Sequence, residues 1–453
     1  MAERTIAAVS TALGEGGIGI IRISGKEAFD IADKVFTSVS GKKIADIQGY
    51  TALFGFVSDL HGRIDEAVAL KFVSPKSYTG EDTVELSVHG GALLVRQTLR
   101  AVLDAGAVLA EPGEFTKRAF LNGKLDLIKA ESVMGLISAR SKSELRLSQS
   151  AHAGKMSKQL DLIEKNLVSA AASIAAYCDY PEEDLGEINV EVFEKELTAV
   201  SLSLKKMLAE YDAGKILREG IDTVIIGRPN VGKSTLMNLL TGVKRSIVTD
   251  IAGTTRDVIE DVVMLGDVPL KLADTAGIRE SDDSVEAMGV ALARERLDSC
   301  QLVLAVFDAS REIEAEDIML LGECKNKHCI VILNQCDKGC AFDDTFAQGY
   351  EKIRMSAKTG NGLDALTAAV ARVTATEQLS PDSAVLLSER QRSLAFRAKE
   401  NVDNALTSMK SGVTPDAVGV CVDEALSALY EMTGKRVTET VTEEIFRRFC
   451  VGK

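Results

Sequence analysis

The stretch from Ile221 to Leu240, IDTVIIGRPNVGKSTLMNLL, limits the fold of this chain more than any other. Its apolar β-branched start reads as a buried strand, and the run after Lys233 reads as a helix. Between them Gly227 to Ser234 matches G-x-x-x-x-G-K-[ST]. Such a loop turns its backbone N–H groups inward at a helix N-terminus, which makes a cradle for phosphate. Strand and helix signals go on alternating to about Val373, so a parallel-sheet α/β domain is expected over residues 220–377.

At 453 residues the chain exceeds what one hydrophobic core usually organises, and two or three domains are expected. Residues 1–121 alternate β-like runs such as GIGIIRISG and TVELSVHGG with two helical stretches, an α+β pattern. Residues 122–219 and 378–453 have helical periodicity, and neither block closes a core alone. The expected architecture is therefore multidomain α/β: an α+β N-terminal domain, a discontinuous helical domain, and the phosphate-loop domain inserted into it.

No apolar run is long enough to span a bilayer, and MAERTIAAVS lacks the basic-then-apolar start of a signal peptide. A cytoplasmic location with no membrane partner is expected. The formal net charge of -14 would repel nucleic acid unless cationic groups gather locally or a partner supplies them. Eight cysteines in such a chain do not read as a disulfide framework. Cys324, Cys329, Cys336 and Cys340 cluster in sequence, yet they lack the paired C-x-x-C spacing of zinc sites, and Cys329 opens the apolar run CIVILN.

In the phosphate loop, Asn230, Val231, Gly232, Lys233, Ser234 and Thr235 are the candidate phosphate contacts. Lys233 is placed to reach the outer phosphates and the Ser234 hydroxyl to bind magnesium. The run ADTAG supplies Asp274 to the magnesium shell and the backbone of Thr275, Ala276 and Gly277 to the outermost phosphate. GTTRD supplies a hydroxyl, Thr255, to close over the metal. Order and spacing are those of a GTPase. Base choice lies in LNQCD, where the Asp337 carboxylate can accept two hydrogen bonds from the guanine N1 and N2 edge while Asn334 braces the loop. Most GTPases read N-K-x-D; here Gln335 replaces the lysine, so weaker nucleotide binding with unchanged base preference is expected. In MSAKTG the backbone of Ser356 and Ala357 can meet the guanine carbonyl. Ras-type GTPases place a water-orienting glutamine after DTAG, and Ile278 stands there instead.

The motifs GRPNVGKST, IVTDIAGTTRD, DTAGIRE, GGIGIIRISG, RAFLNGKLDL and FCVGK, with the helical blocks that flank the GTPase segment, resemble the MnmE family of tRNA-modification GTPases over essentially the whole chain. The resemblance implies a potassium ion beside the phosphates, held by the Asn230 side chain and by backbone carbonyls at Thr249, Ile251 and Thr254. It implies Glu286 as the group that orients water. It also implies a tetrahydrofolate-binding N-terminal domain, with Arg22, Glu85, Lys124 and Lys453 as folate contacts and 5,10-methylene- or 5-formyl-tetrahydrofolate as the one-carbon donor. Cys450 stands as a candidate nucleophile in the modification chemistry, or as a packed thiol. The implied assembly is a homodimer through the folate-type domains that joins MnmG, an FAD protein, in a heterotetramer. Together they would add a (carboxymethyl)aminomethyl group at C5 of the wobble uridine of certain tRNAs. Two other readings are a ribosome-assembly GTPase switch and a folate-dependent aminomethyltransferase that senses GTP.

Overall fold

The computed structural model describes residues 4–139, 141–179, 190–242, 261–272, 297, 300–325, 327–339, 341, 344–379 and 383–452. The chain divides into two compact units, one of Met1–Met134, Leu160–Ala175 and Thr414–Lys453, the other of Gly135–Gln159 and Ala176–Val413.

In the first unit, seven strands form one sheet in the order β3-β4-β5-β6-β2-β1-β7. They are β1 (Ile6–Val9), β2 (Gly19–Ser24), β3 (Phe36–Ser38), β4 (Ala52–Asp59), β5 (Gly62–Phe72), β6 (Thr83–Val88) and β7 (Val108–Leu109). Only the β1–β7 pair is parallel. Strand alternation decides the core: Ile21 and Ile23 of β2 and Val84 and Leu86 of β6 are buried in one cluster with Ala28, Ile31 and Val35 of the helix Ala28–Val35 and with Val95 and Val102 of the helix Ala92–Asp104. The same alternation turns Arg22 and Glu85 to the other face, where they are direct cross-strand neighbours.

The C-terminal residues of this unit close it. Phe446 and Phe449 pack with Leu127, Ala130 and Val133 in a separate apolar cluster. Beyond them the Gly113 N–H donates to the Cys450 carbonyl at 3.3 Å, and the Ser10 hydroxyl donates to the Gly452 carbonyl at 3.2 Å. Gly452 has φ +93, and a Cβ there would stand 2.0 Å from the Val9 carbonyl oxygen. Only glycine lets the tail lie this close to β1.

In the second unit, β8 (Ile221–Ile226), β9 (Asp261–Leu265), β10 (Val268–Leu272), β11 (Leu302–Asp308), β12 (His328–Asn334) and β13 (Glu351–Arg354) form a sheet in the order β13-β12-β11-β8-β10-β9. All its pairs are parallel except β9 with β10. Apolar clusters cover both faces, which explains why β11 and β12 are nearly continuous apolar runs. The chain enters this sheet from the helix Val190–Glu219 and returns along the helix Glu389–Lys410, so the α/β part is an insertion between two helices. Those helices are joined by Ser201 to Asp403 at 2.5 Å and by the Tyr211 hydroxyl, which donates to Glu389 at 2.9 Å. Burial and that carboxylate raise the Tyr211 pKa to about 12, so the phenol stays a donor throughout the physiological range. Among the described residues no helix is long and apolar enough to cross a membrane.

Phe446 is 1% exposed, so Phe446→Ala is expected to cost about 3 to 5 kcal/mol. A urea denaturation curve should show that loss as a lowered midpoint of the first unit's transition.

Candidate functional site

The phosphate loop begins where β8 ends and closes at the start of the helix Lys233–Gly242. Its shape requires unusual backbone: Asn230 has φ +64 and Gly232 φ +96. Asparagine is among the few non-glycine residues that tolerate the left-handed region. At Gly232 a Cβ would lie 2.3 Å from the Asn334 Nδ2, so that position admits only glycine. Ser234 and Thr235 are exposed in the first helical turn. The Lys233 ammonium donates to the carbonyls of Gly227 and Arg228, both at 2.7 Å, and so curls back over the loop.

Two side chains tie this loop down. Asn334, 2% exposed at the end of β12, donates from Nδ2 to the Val231 carbonyl at 2.9 Å and accepts at Oδ1 from the Ala357 N–H at 2.8 Å. Arg228 pairs with Glu314 Oε1 at 2.6 Å, and its guanidinium lies 3.2 Å from Glu316 and 3.6 Å from Asp317. Glu314 and Asp317 form the capping box of the helix Ala315–Glu323, so Arg228 links the loop to a helix start. Nothing in the sequence motif marks Arg228 for this; its partners lie 86 to 89 residues further along the chain, a relation visible only once the strands are ordered.

The base-side residues converge on the same edge. Met355 N–H donates to the Leu333 carbonyl at 2.9 Å and Cys336 N–H to the Met355 carbonyl at 3.2 Å, which brings MSAKTG beside LNQCD. Asp337 is exposed. The Ser356 hydroxyl hydrogen bond, together with its own backbone N–H and the nearby Lys358 and Lys338, holds its carboxyl below the usual range, so it is an acceptor at neutral pH. Ser356 and Ala357 are buried, and their N–H groups donate to Asn361 and Asn334. The two amides expected at a guanine carbonyl are thus engaged within the protein in this structure.

In the first unit Arg22 Nη2 lies 2.8 Å from Glu85 Oε1, with Arg22 Nε donating to the same oxygen at 2.9 Å. The guanidinium stands over the rings of Tyr78 and Phe115, at 5.4 and 5.6 Å from their centroids. Sequence reasoning did not single out these two aromatic residues, which carry no local signal. Lys124 donates from Nζ to the Pro75 carbonyl at 3.0 Å, on the segment that leads to Tyr78. His89 is paired with Asp65 through Nδ1 at 2.9 Å, and that hydrogen bond raises its pKa above the ordinary value. The Cys450 thiol is exposed. Cys324 and Cys329 are buried in an apolar cluster, which also contains Cys336 at its margin. Among the described residues no group of three His, Cys, Asp or Glu is placed to hold a metal ion. Thr249, Ile251, Thr254, Thr255, Asp274, Thr275, Ala276, Gly277, Ile278, Glu286, Cys340 and Lys453 lie outside the described residues.

Two family models match this chain: the one described as MnmE helical domain, over residues 127–450, and the one described as GTP-binding protein TrmE N-terminus, over residues 5–124. The tRNA modification GTPase MnmE of Clostridioides difficile (strain 630) is 38% identical over 456 residues, covering 100% of this chain and 99% of that protein. The chain belongs to the MnmE family. The protein of the same name from Geobacter sulfurreducens is 39% identical over 457 residues with the same coverage. Among solved structures, the G domain of FeoB from Methanococcus jannaschii matches 34% of this chain and 98% of its own at 23% identity. The TM-score of that match is 0.26.

Gly232→Ala forces a Cβ against Asn334 in a backbone region that L residues avoid. Strain of that kind is expected to weaken GDP binding about tenfold or more. Gly242→Ala, where an added Cβ meets nothing within 4 Å, should bind as the wild type does in the same titration.

Proposed function

We propose that this chain is a potassium-stimulated GTPase which works as a homodimer with an FAD-containing MnmG partner to modify the wobble uridine of tRNA through a tetrahydrofolate-bound one-carbon unit. The coarser part is carried by family membership: the chain is a GTP hydrolase of tRNA modification, using GTP and, as GTPases typically do, magnesium. The observation that most supports a nucleotide site in the second unit is the single edge at which Asn334 ties the phosphate loop to the base-side loop.

On this reading Asp337 selects guanine, Lys233 meets the outer phosphates and the Ser234 hydroxyl enters the magnesium shell, a role its exposed place in the first helical turn suits. Asn230 stands exposed on the rim of the phosphate loop, and its carboxamide oxygen is a hard donor of the kind potassium takes. With Thr249, Ile251 and Thr254 it would hold that ion; Thr255 and Asp274 would serve magnesium and Glu286 would orient water. Potassium held there would supply positive charge beside the phosphates during hydrolysis. GTP hydrolysis drives a conformational change rather than the covalent step.

The folate reading rests on Arg22 and Glu85. Their carboxylate and guanidinium offer the donor and acceptor complement that a pterin amide edge requires, with the guanidinium over the rings of Tyr78 and Phe115. Lys124 and Lys453 would meet the anionic glutamate tail, and Cys450 would serve the modification chemistry as an exposed thiol. Dimerisation through this unit is supported by Phe54 and Val68. They face each other across β4 and β5, yet are 52% and 41% exposed.

Hydrolysis measured in potassium chloride should exceed that in sodium chloride by at least about tenfold, and Asn230→Ala should abolish the difference. Equal rates in the two salts would favour a GTPase switch without this ion. For the N-terminal unit, Glu85→Gln is expected to weaken tetrahydrofolate binding roughly tenfold or more by equilibrium dialysis. Unchanged binding would remove Glu85 from the site.

A further inference from the structure

Gln335 occupies the place where most GTPases carry a lysine, and the structure gives it two partners of opposite character. Its Nε2 donates to the carbonyl of Asn230 in the phosphate loop at 3.0 Å. Its Oε1 accepts from the ammonium of Lys338, three residues further on. An ammonium has donors only and a carbonyl has an acceptor only, so the two contacts leave a single orientation for the amide. The bridge also links two residues with matching backbone strain, since Asn230 has φ +64 and Gln335 φ +63. The short 3-10 turn Cys336–Lys338 that follows Gln335 returns Lys338 to it, because residues three apart in such a turn are eclipsed.

We propose that Gln335 and Lys338 together act as a divided lysine: Gln335 supplies the contact from the base-side loop to the phosphate loop, and Lys338 supplies the positive charge that strengthens it. The ammonium polarises the amide and makes its N–H a better donor to Asn230, as a charge-assisted chain does. Both are positioning residues. They set the distance between the Asp337 carboxylate, which sits between them in sequence, and the loop on which the phosphates rest. They also steady Asn230, whose side chain is the candidate potassium donor. The replacement at residue 335 therefore does not by itself mean weak nucleotide binding, which revises the expectation drawn from the sequence.

The inference rests on reading Asn334 to Asp337 as the base-side loop of the nucleotide site, and the experiment separates the two. The dissociation constant and release rate of a fluorescent GDP analogue would be measured on the full chain for Gln335→Ala, Lys338→Met, the double variant and Gln335→Lys with and without Lys338→Met. Gln335→Ala and Lys338→Met are each expected to weaken GDP roughly fivefold, with the double variant no weaker than Gln335→Ala. Gln335→Lys should bind as tightly as the wild type and make Lys338→Met silent. Unchanged affinity in Lys338→Met, or losses that multiply in the double variant, would overturn the proposal. In the second case Lys338 acts on the nucleotide independently. Asp337→Asn tests the underlying reading: an amide there should favour xanthosine diphosphate over GDP, because xanthine replaces a guanine donor with an acceptor. No change of preference would reject the base-side assignment itself, whatever the other variants do.

Discussion

The second unit depends on the carboxamide of Asn334. It is buried at the carboxyl end of β12, and each of its polar ends has one partner: the Val231 carbonyl in the phosphate loop and the Ala357 N–H in the loop after β13. A buried amide so satisfied is rigid, because any rotation would leave a donor or acceptor without a partner in a low-dielectric setting. Three segments distant in sequence are therefore held at the carboxyl edge of a parallel sheet, the edge where open α/β folds place their ligands. Gly232 is necessary to the same contact, since the Asn334 amide occupies the space a Cβ would need.

Charge is arranged locally in a chain whose overall balance is acidic. Around the phosphate loop Arg228 answers Glu314 and lies beside Glu316 and Asp317, so cationic charge is used to anchor the loop. Lys233 turns its ammonium onto the loop carbonyls. In the first unit Arg22 pairs with Glu85 and lies over two rings. A net charge of -14 leaves little long-range attraction for RNA, which fits an assembly in which a partner brings cationic surface.

Much of the architecture was legible in the sequence because it depends on local pattern. The GRPNVGKST loop with its strand and helix flanks, the β alternation in GIIRIS and TVELSV, and the helical blocks on either side of the α/β part all follow from spacing. Asn334 as a brace was also legible, since its place at a strand end within LNQCD points to that role. What was not legible depends on contacts between residues far apart. Tyr78 lies between β5 and β6 and Phe115 in the helix Glu114–Leu121, so they meet Arg22 of β2 only once these elements are assembled, and Arg228 finds Glu314 only when β8 and β11 lie side by side. At Gln335 the sequence shows the missing lysine and hides the turn that returns Lys338 to it. FCVGK likewise does not show that residues 449–452 lie against the first unit's own chain through Phe449, Cys450 and Gly452.

That one buried amide assembles the nucleotide site is tested by GDP affinity in Asn334→Ala, measured by anisotropy of a labelled nucleotide beside the far-UV circular dichroism. Removing the amide orphans a carbonyl and an N–H and frees two loops from each other. Affinity should fall roughly a hundredfold or more while the dichroism keeps its helix and strand signal. Affinity within twofold of the wild type would contradict the account, since the loops would then be held in place by something other than Asn334.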